Sequence, residues 1–315
     1  MSDARAEAAS GRPWQPVDPP RRPVLFLNPR SGAGAETRAA VIAQARRRGI
    51  ETVTLAPGQD LAALAREALA GGADALGVAA GDGSLRAVAA VAAAAGVPFV
   101  CIPAGTRNHF ALDLGVDRRD PVGALEAFTE GLERRVDVGE VDGHLFLNNV
   151  SLGVYGRAVG QPAYRDAKLR TLLETAEAVL GPSGAATALR VVDDLGDEHV
   201  DPAVVLVSNN PYALDVPLAR GLRPALDTGR LGVVVLDAPG AAPRRRARAW
   251  TTPRLEIAGT PPILAGVDGE SVTLAAPLRC ASRPAALRVR IAARHALVPS
   301  AARHRRRARR AARPR

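Results

Sequence analysis

Lysine is almost missing from this 315-residue chain, since Lys168 is the only one and nearly every cation is arginine. With abundant alanine, that bias reads as a GC-rich coding sequence rather than a nucleic-acid footprint. Cysteine is equally scarce. Cys101 and Cys280 form no CxxC pair and no metal-ligand spacing, and Cys101 sits inside an apolar run as a small buried residue. A disulfide framework is thereby excluded and the cytosol is the expected compartment. The first 22 residues are polar and proline-rich with no apolar centre, so no signal peptide is expected and residues 1–22 are read as a disordered segment. Residues 87–106 carry no charge for roughly the length of a membrane span. Gly96 and Pro98 split that stretch into an alanine helix and a strand, so it reads as core.

What is present is a globular composition, 47% hydrophobic, on a chain long enough for one large domain or two ordinary ones. Net charge is +10, of which residues 303–315 supply +8 through eight arginines and no acid. The remainder is therefore close to neutral. The tail, 299–315, contains too little bulky apolar material to pack and is expected to be disordered.

The pattern from 23 to about 130 alternates strand and helix. It predicts strands at 24–28, 51–56, 74–79 and 98–102, and helices at 36–48, 60–70, 84–95 and 120–131. Such alternation implies a parallel sheet covered on both faces. From Arg135 short strand patterns dominate, at 135–141, 144–151, 187–192, 203–208, 231–236, 253–258, 271–275 and 287–292, with one helical stretch at 163–180. The predicted organisation is an α/β domain over 23–134 and a β-rich domain over 135–298, whose C-terminal end returns to the first.

Three loops carry the chemistry. Gly81-Asp82-Gly83-Ser84 follows an apolar strand and precedes a helix, a turn through which backbone N–H groups reach a phosphate. Asp82 within it would need a cation between its carboxylate and a phosphate. Pro103-Ala-Gly-Thr-Arg-Asn-His-Phe110 repeats the design one strand further on, and Asn28-Pro29-Arg30-Ser31-Gly32 follows the first strand. Loops at the same ends of neighbouring parallel strands line one crevice. The bland reading of each block is a surface turn, and Asp268-Gly269-Glu270 by itself reads as a hairpin turn.

Taken in order, NPRSG (28–32), AGDGS (80–84), PAGTRNHFA (103–111) and Asp268-Gly269-Glu270 resemble the diacylglycerol kinase catalytic family of bacterial lipid kinases, relatives of sphingosine and ceramide kinases. The resemblance covers roughly 23 to 295. It implies an N-terminal Rossmann-like parallel α/β domain, an antiparallel β-sandwich domain, and a nucleotide site in the cleft between them. It implies ATP and Mg²⁺ as cofactors, with Asn28, Pro29, Arg30, Ser31, Gly32, Thr54, Gly81, Asp82, Gly83, Ser84 and Thr106 on the nucleotide and Asp82 on the metal. Glu270 matches the family's proton acceptor, and Asp268 is expected to be an orienting or metal-side carboxylate on the same turn. The implied reaction is transfer of the γ-phosphoryl group to a lipid hydroxyl, diacylglycerol or a related alcohol.

Several positions depart from the family. Ala80 and Ser84 replace a glycine and a threonine, Arg86 stands where an asparagine is usual, and His109 replaces an aspartate. Thr228 occupies the place of an aspartate that serves a structural Mg²⁺ site in many members, so that site is not expected here. The asparagines of 146–153 and 206–210 read as satisfying buried backbone at strand ends. Two alternatives stay open, an NAD-kinase-like enzyme sharing the Gly-Asp-Gly loop and an inactive nucleotide- or membrane-binding relative. A dinucleotide dehydrogenase is disfavoured because SGAGAET (31–37) lacks the third glycine of that fingerprint. The expected partners are ATP, a lipid alcohol, and an anionic membrane surface reached through 303–315, with nucleic acid not favoured. The expected location is cytoplasmic, peripheral at the inner membrane face.

Overall fold

The computed structural model describes residues 12–32, 34–105, 108–153, 188–213, 222–236 and 247–296. The helix expected at 163–180, the tail at 299–315 and Thr106 lie outside the described residues. The chain divides into two compact units, one running to Val136 and resuming at Ala285, the other Asp137–Pro284.

The first unit contains β1 (Gln15–Pro16), β2 (Pro23–Leu27), α1 (Ala35–Arg47), β3 (Glu51–Thr54), α2 (Leu61–Ala70), β4 (Ala75–Ala80), α3 (Asp82–Ala95), β5 (Phe99–Pro103) and α4 (His109–Leu114). β2 pairs in parallel with both β3 and β4, and β4 with β5. Every residue of β2, β4 and β5 is buried, as expected for central strands covered on both faces. Their sequences read accordingly as unbroken apolar runs, PVLFL, ALGVAA and FVCIP.

Helix boundaries follow local chemistry. Asp60 caps α2 by accepting from the Ala62 N–H, an interaction worth about 1 kcal/mol. α3 ends at Gly96, whose φ of 68° suits the left-handed cap. The helix expected at 120–131 is a short 3-10 helix, Gly123–Phe128. Its start is held by the Asp120 carboxylate accepting from the Gly123 N–H, and by Gly131 the chain is already extended.

The N-terminal segment differs from expectation. From residue 12 on it belongs to the fold: Gln15 and Pro16 pair with Glu133 and Leu132, and the Arg134 guanidinium lies 4.5 Å from the Trp14 ring centroid. The amides of Arg21 and Arg22 donate to the two oxygens of Asp74. Burial works against the charged form of Glu133, yet hydrogen bonds from Arg288 and Arg290 hold it below the usual carboxylate range.

The second unit is antiparallel. Its strands are the end of β6 (Gly131–Val141), then β7 (His144–Phe146), β8 (Asn149–Leu152), β9 (Leu189–Val192), β10 (Glu198–Val200), β11 (Val204–Asn209), β12 (Leu231–Leu236), β13 (Ala247–Thr252), β14 (Arg254–Gly259), β15 (Ile263–Val267), β16 (Glu270–Leu274) and the start of β17 (Leu278–Ala292). One sheet runs β13-β12-β11-β8-β15-β16, and a second contains β10-β9-β14 with the start of β17. Inward residues of both, among them Val150, Val205, Val233, Ile263 from the first and Val191, Ile257, Leu278 from the second, form one buried apolar cluster. That is a β-sandwich.

β17 explains where the boundary moved. Arg254–Ile257 pair with Leu278–Ala281, whereas Val289 and Arg290 pair in parallel with Phe99 and Val100. Between the two stretches Ala285 takes a φ of 54°. Residues from Ala285 on therefore belong to the first unit, the one to which the C-terminal end was expected to return. α5 (Ala293–Ala296) follows. Among the described residues no helix is long and apolar enough to cross a membrane.

Candidate nucleotide and phosphoryl-transfer residues

In the first unit the strand order is β3-β2-β4-β5. The chain leaves β2 to one side for β3 and then crosses to the other side for β4. The switch point lies between β2 and β4, the place where open α/β sheets bind ligands at their strands' carboxyl ends. The loops that follow β2 and β4 are Asn28–Gly32 and Gly81, the two that the sequence singled out.

The first loop is a tight turn. Pro29 occupies its second position with its φ preset, and the Ser31 N–H donates to the Asn28 carbonyl over 3.0 Å. The Asn28 side chain works in two directions. Its Oδ1 accepts from the Arg30 N–H at 3.0 Å, and its Nδ2 donates to Ser84 Oγ at 3.1 Å. Arg30 and Gly32 are exposed on the turn. Thr54 ends β3 directly beside Leu27 and is exposed.

The second loop is shorter than the sequence suggested. Asp82 lies in the first turn of α3, with Gly81 as N-cap and no side chain capping the helix. The first amides of this 14-residue helix are thus uncapped, and they carry the positive end of its dipole. Asp82 Oδ2 accepts from the His109 N–H at 3.4 Å, while Oδ1 is buried with no hydrogen-bond partner among the described residues. Burial, and then the Asp82 charge nearby, pushes the Cys101 thiol far above its ordinary value, so that cysteine is inert core.

The third loop packs backbone against backbone. A Cβ placed on Gly105 would stand 2.5 Å from Gly81 Cα, so only glycine permits the approach. Asn108 holds this loop in shape. It is buried, takes a φ of 54°, accepts from the Gly105 N–H and donates to the Gly105 carbonyl. Asn108 and Gly105 are positioning residues that a motif search for charged or nucleophilic groups passes over. Their signal was the Gly-x-x-Asn spacing within PAGTRNHFA.

The residues present fit a divalent cation next to phosphate in one respect. A buried, unpartnered carboxylate oxygen at an uncapped helix N-terminus is an acceptor without a donor. Among the described residues no group of three or more His, Cys, Asp or Glu stands together as a metal cage. Asp82 would be the protein's contribution, with remaining ligands from nucleotide and water.

Asp268 and Glu270 belong to the second unit. Asp268 and Gly269 form the two-residue turn between β15 and β16, with φ of 50° and 87°, and Val267 pairs directly with Glu270. Glu270 is exposed at the start of β16. Asp268 turns inward instead. Its carboxylate accepts from the backbone amides of Leu147 (2.7 Å), Asn148 (2.7 Å) and Asn149 (3.0 Å). Burial raises its pKa to about 6 against the opposing pull of those three amides and Arg223. Both oxygens of this carboxylate are thus engaged by backbone amides.

Asn209 and Asn210 serve buried backbone, whereas Asn148 Oδ1 accepts from Arg223 and Asn149 Nδ2 donates to the Tyr212 hydroxyl. Asn209 Nδ2 donates to the carbonyls of Asp137 and Leu147, and Asn210 Oδ1 accepts from Thr228 through both its N–H and its hydroxyl.

Residues 22–141 match the family described as diacylglycerol kinase catalytic domain. A diacylglycerol kinase of Mycobacterium tuberculosis is 35% identical over 120 residues, 37% of this chain and 39% of that protein. A Pseudomonas aeruginosa protein named "Probable lipid kinase YegS-like" is 39% identical over 149 residues, 46% of this chain and 48% of that one. The chain therefore spans half or less of these relatives' lengths. A solved diacylglycerol kinase structure from Bacillus anthracis covers 86% of this chain and 96% of its own, with a TM-score of 0.61 at 17% identity, a likeness of fold. Asp268 and Glu270 lie beyond the matched stretch, whereas Asn28, Thr54, Asp82 and Ser84 lie within it. Over residues 22–141 the chain is thus similar to the diacylglycerol kinase catalytic domain family, and over its length it shares the fold of a solved diacylglycerol kinase.

Proposed function

We propose that the chain is an ATP- and Mg²⁺-dependent lipid kinase that transfers the γ-phosphoryl group to the hydroxyl of diacylglycerol or a related lipid alcohol. The observation that carries this reading is Asp82, whose buried Oδ1 has no donor among the described residues at the uncapped N-terminus of α3. Uncapped amides at a helix start hold phosphate oxygens. A carboxylate in the same turn repels phosphate, so the pair makes chemical sense with a cation between them. Bound Mg²⁺ supplies neutralisation of the charge on the phosphoryl oxygens. Asn28 orders the first loop and orients Ser84, while Pro29–Gly32, Thr54 and Thr106 complete the nucleotide contacts that the family resemblance implies. Glu270 takes the proton of the attacking hydroxyl.

The test is transfer of label from radiolabelled ATP to diacylglycerol, sphingosine and NAD, with Asp82→Asn as control. Label on a lipid, lost in Asp82→Asn while the variant still melts cooperatively, is the expected result. Label on NAD alone would make the chain an NAD-kinase-like enzyme, and no transfer with ATP still bound would make it an inactive relative. Full turnover in Asp82→Asn would reduce Asp82 to a helix-start residue and sink the reading.

A lipid acceptor calls for a membrane. The eight arginines of 303–315 supply a basic segment that we assign to the anionic inner face of the membrane. Each contributes on the order of 1 kcal/mol at most. Removing 303–315 should weaken salt-sensitive binding to phosphatidylserine vesicles and leave the melting temperature unchanged. Equal vesicle binding with and without the segment refutes the assignment.

A further inference from the structure

Arg223 is an unusual residue to find where it is. It is 2% exposed, and its guanidinium reaches into the turn between β7 and β8. Nη1 donates to the carbonyls of Leu147 and Asn209, and Nη2 donates to Asn148 Oδ1 at 2.9 Å. A buried guanidinium is tolerated only with its donors satisfied and an opposite charge at hand.

The opposite charge is Asp268, on the other side of the same turn. Residues 147–149 present their three amide hydrogens to the Asp268 carboxylate, while the Leu147 carbonyl and the Asn148 side chain face Arg223. The Asp268 N–H closes the circuit by donating to the Asn149 carbonyl. The turn is clamped between an anion and a cation. Arg223 is the charged group that acts on Asp268 among the described residues.

Glu270 stands two residues from Asp268. The tight turn through Asp268 and Gly269, with Val267 paired to Glu270, makes the backbone of Glu270 follow wherever Asp268 is held. Asp268 in turn is held by a peptide segment whose far side rests on Arg223. We propose that Arg223 is a positioning residue for phosphoryl transfer, setting the place of the proton-accepting Glu270 through the 147–149 turn and Asp268. This rests on the assignment of Glu270 made above. A bland alternative is that Arg223 only stabilises the sandwich.

The two separate in experiment. Arg223→Met keeps length and apolar volume and removes the charge and donors, and Arg223→Lys restores the charge with a different reach. For Arg223→Met the expected results are a fall in kcat of roughly 10- to 100-fold with KM for ATP unchanged, as for a misplaced catalytic group. Amide hydrogen exchange at 147–149 should speed up. The acid limb of the kcat–pH profile should move to higher pH, because Asp268 loses the cation that favours its charged form. Arg223→Lys should bring that limb back toward wild type, and it decides the matter if the Met variant does not fold. Faster exchange with kcat and pH profile unchanged overturns the proposal and leaves a fold clamp. Full turnover in Glu270→Gln instead removes the base assignment, and the kcat of that variant, still impaired if Arg223 is only a fold clamp, tells the two failures apart.

Discussion

Asn28 and Ser84, 56 residues apart in sequence, are joined by a 3.1 Å hydrogen bond from Nδ2 to Oγ. The bond ties the loop after β2 to the first turn of α3 across the switch point of the sheet. The same amide also orders its own loop through the Arg30 N–H. Asn28→Ala removes both at once. The group is half-buried, so the expected stability loss is about 1–2 kcal/mol, one ordinary increment per bond. ATP affinity should fall by more than stability does, as titration calorimetry on the folded variant would measure. A variant that binds ATP as wild type would separate the loop from the nucleotide.

Gly105→Ala tests the approach of the second and third loops. The added methyl would meet Gly81 Cα at 2.5 Å and Asn108 Oδ1 at 3.0 Å, and the first of these is backbone that cannot swing aside. Overpacking of this kind costs about 1–3 kcal/mol. The melting temperature should drop and ATP binding weaken together. An unchanged melting temperature would mean that the loops part without cost.

Much of the first unit was readable because its physics is local. The runs PVLFL, ALGVAA and FVCIP are each bounded by proline, glycine or a polar turn, and each became a buried parallel strand. Asp82 was placed in a turn because glycine on both sides suggests one, yet α3 begins at Asp82 itself, with glycine accepted in its first turn. The second unit was less legible. β13 and β15 owe their strand form to partners, since ARAWTT pairs along all of β12 and ILAGV lies between β8 and β16. β10 is three residues long and too brief for any period to show. Asp268 is the sharpest case. Nothing within Asp-Gly-Glu signals a carboxylate that turns inward, because its three donors lie about 120 residues earlier. Arg223 likewise looks like one arginine among many until its acceptors are seen.

The pH dependence of stability carries a signature of Asp268. Burial lifts its folded pKa to about 6 from an ordinary 3.8. The folded protein then binds this proton more tightly than the unfolded chain does. Linkage makes its contribution to stability fall as pH rises from about 4 to about 6, then level off. Asp268→Asn removes the titration, so the stability difference, wild type minus variant, should shrink across that window in denaturant melts. A difference that grows instead would mean that the three amides outweigh desolvation and hold the pKa low.

Glu270→Gln bears on the chemistry itself. A hydroxyl attacking a γ-phosphoryl group must lose its proton, and a placed carboxylate contributes roughly 10² to 10⁴ in rate. Phosphoryl transfer proceeds through a loose transition state that asks little of a base, so the expected fall in kcat is about 10²-fold. Glutamine keeps the size and reach of the side chain but accepts no proton. Glu270 is exposed, so the fold should not notice the change, and a shift within about 0.5 kcal/mol is expected in denaturant melts. ATP affinity should be nearly intact, because the residues proposed to contact nucleotide, Asn28, Gly81 and Ser84, belong to the other unit. Steady-state kinetics with saturating ATP against a short-chain diacylglycerol would read all three quantities on one sample. Normal turnover would return Asp268-Gly269-Glu270 to a plain hairpin, and the proton acceptor would have to be another carboxylate. A lost fold with Gln at this exposed position would contradict the placement of Glu270 at the start of β16. A selective loss of kcat would place the base on β16, a strand whose position is set by the buried carboxylate two residues before it.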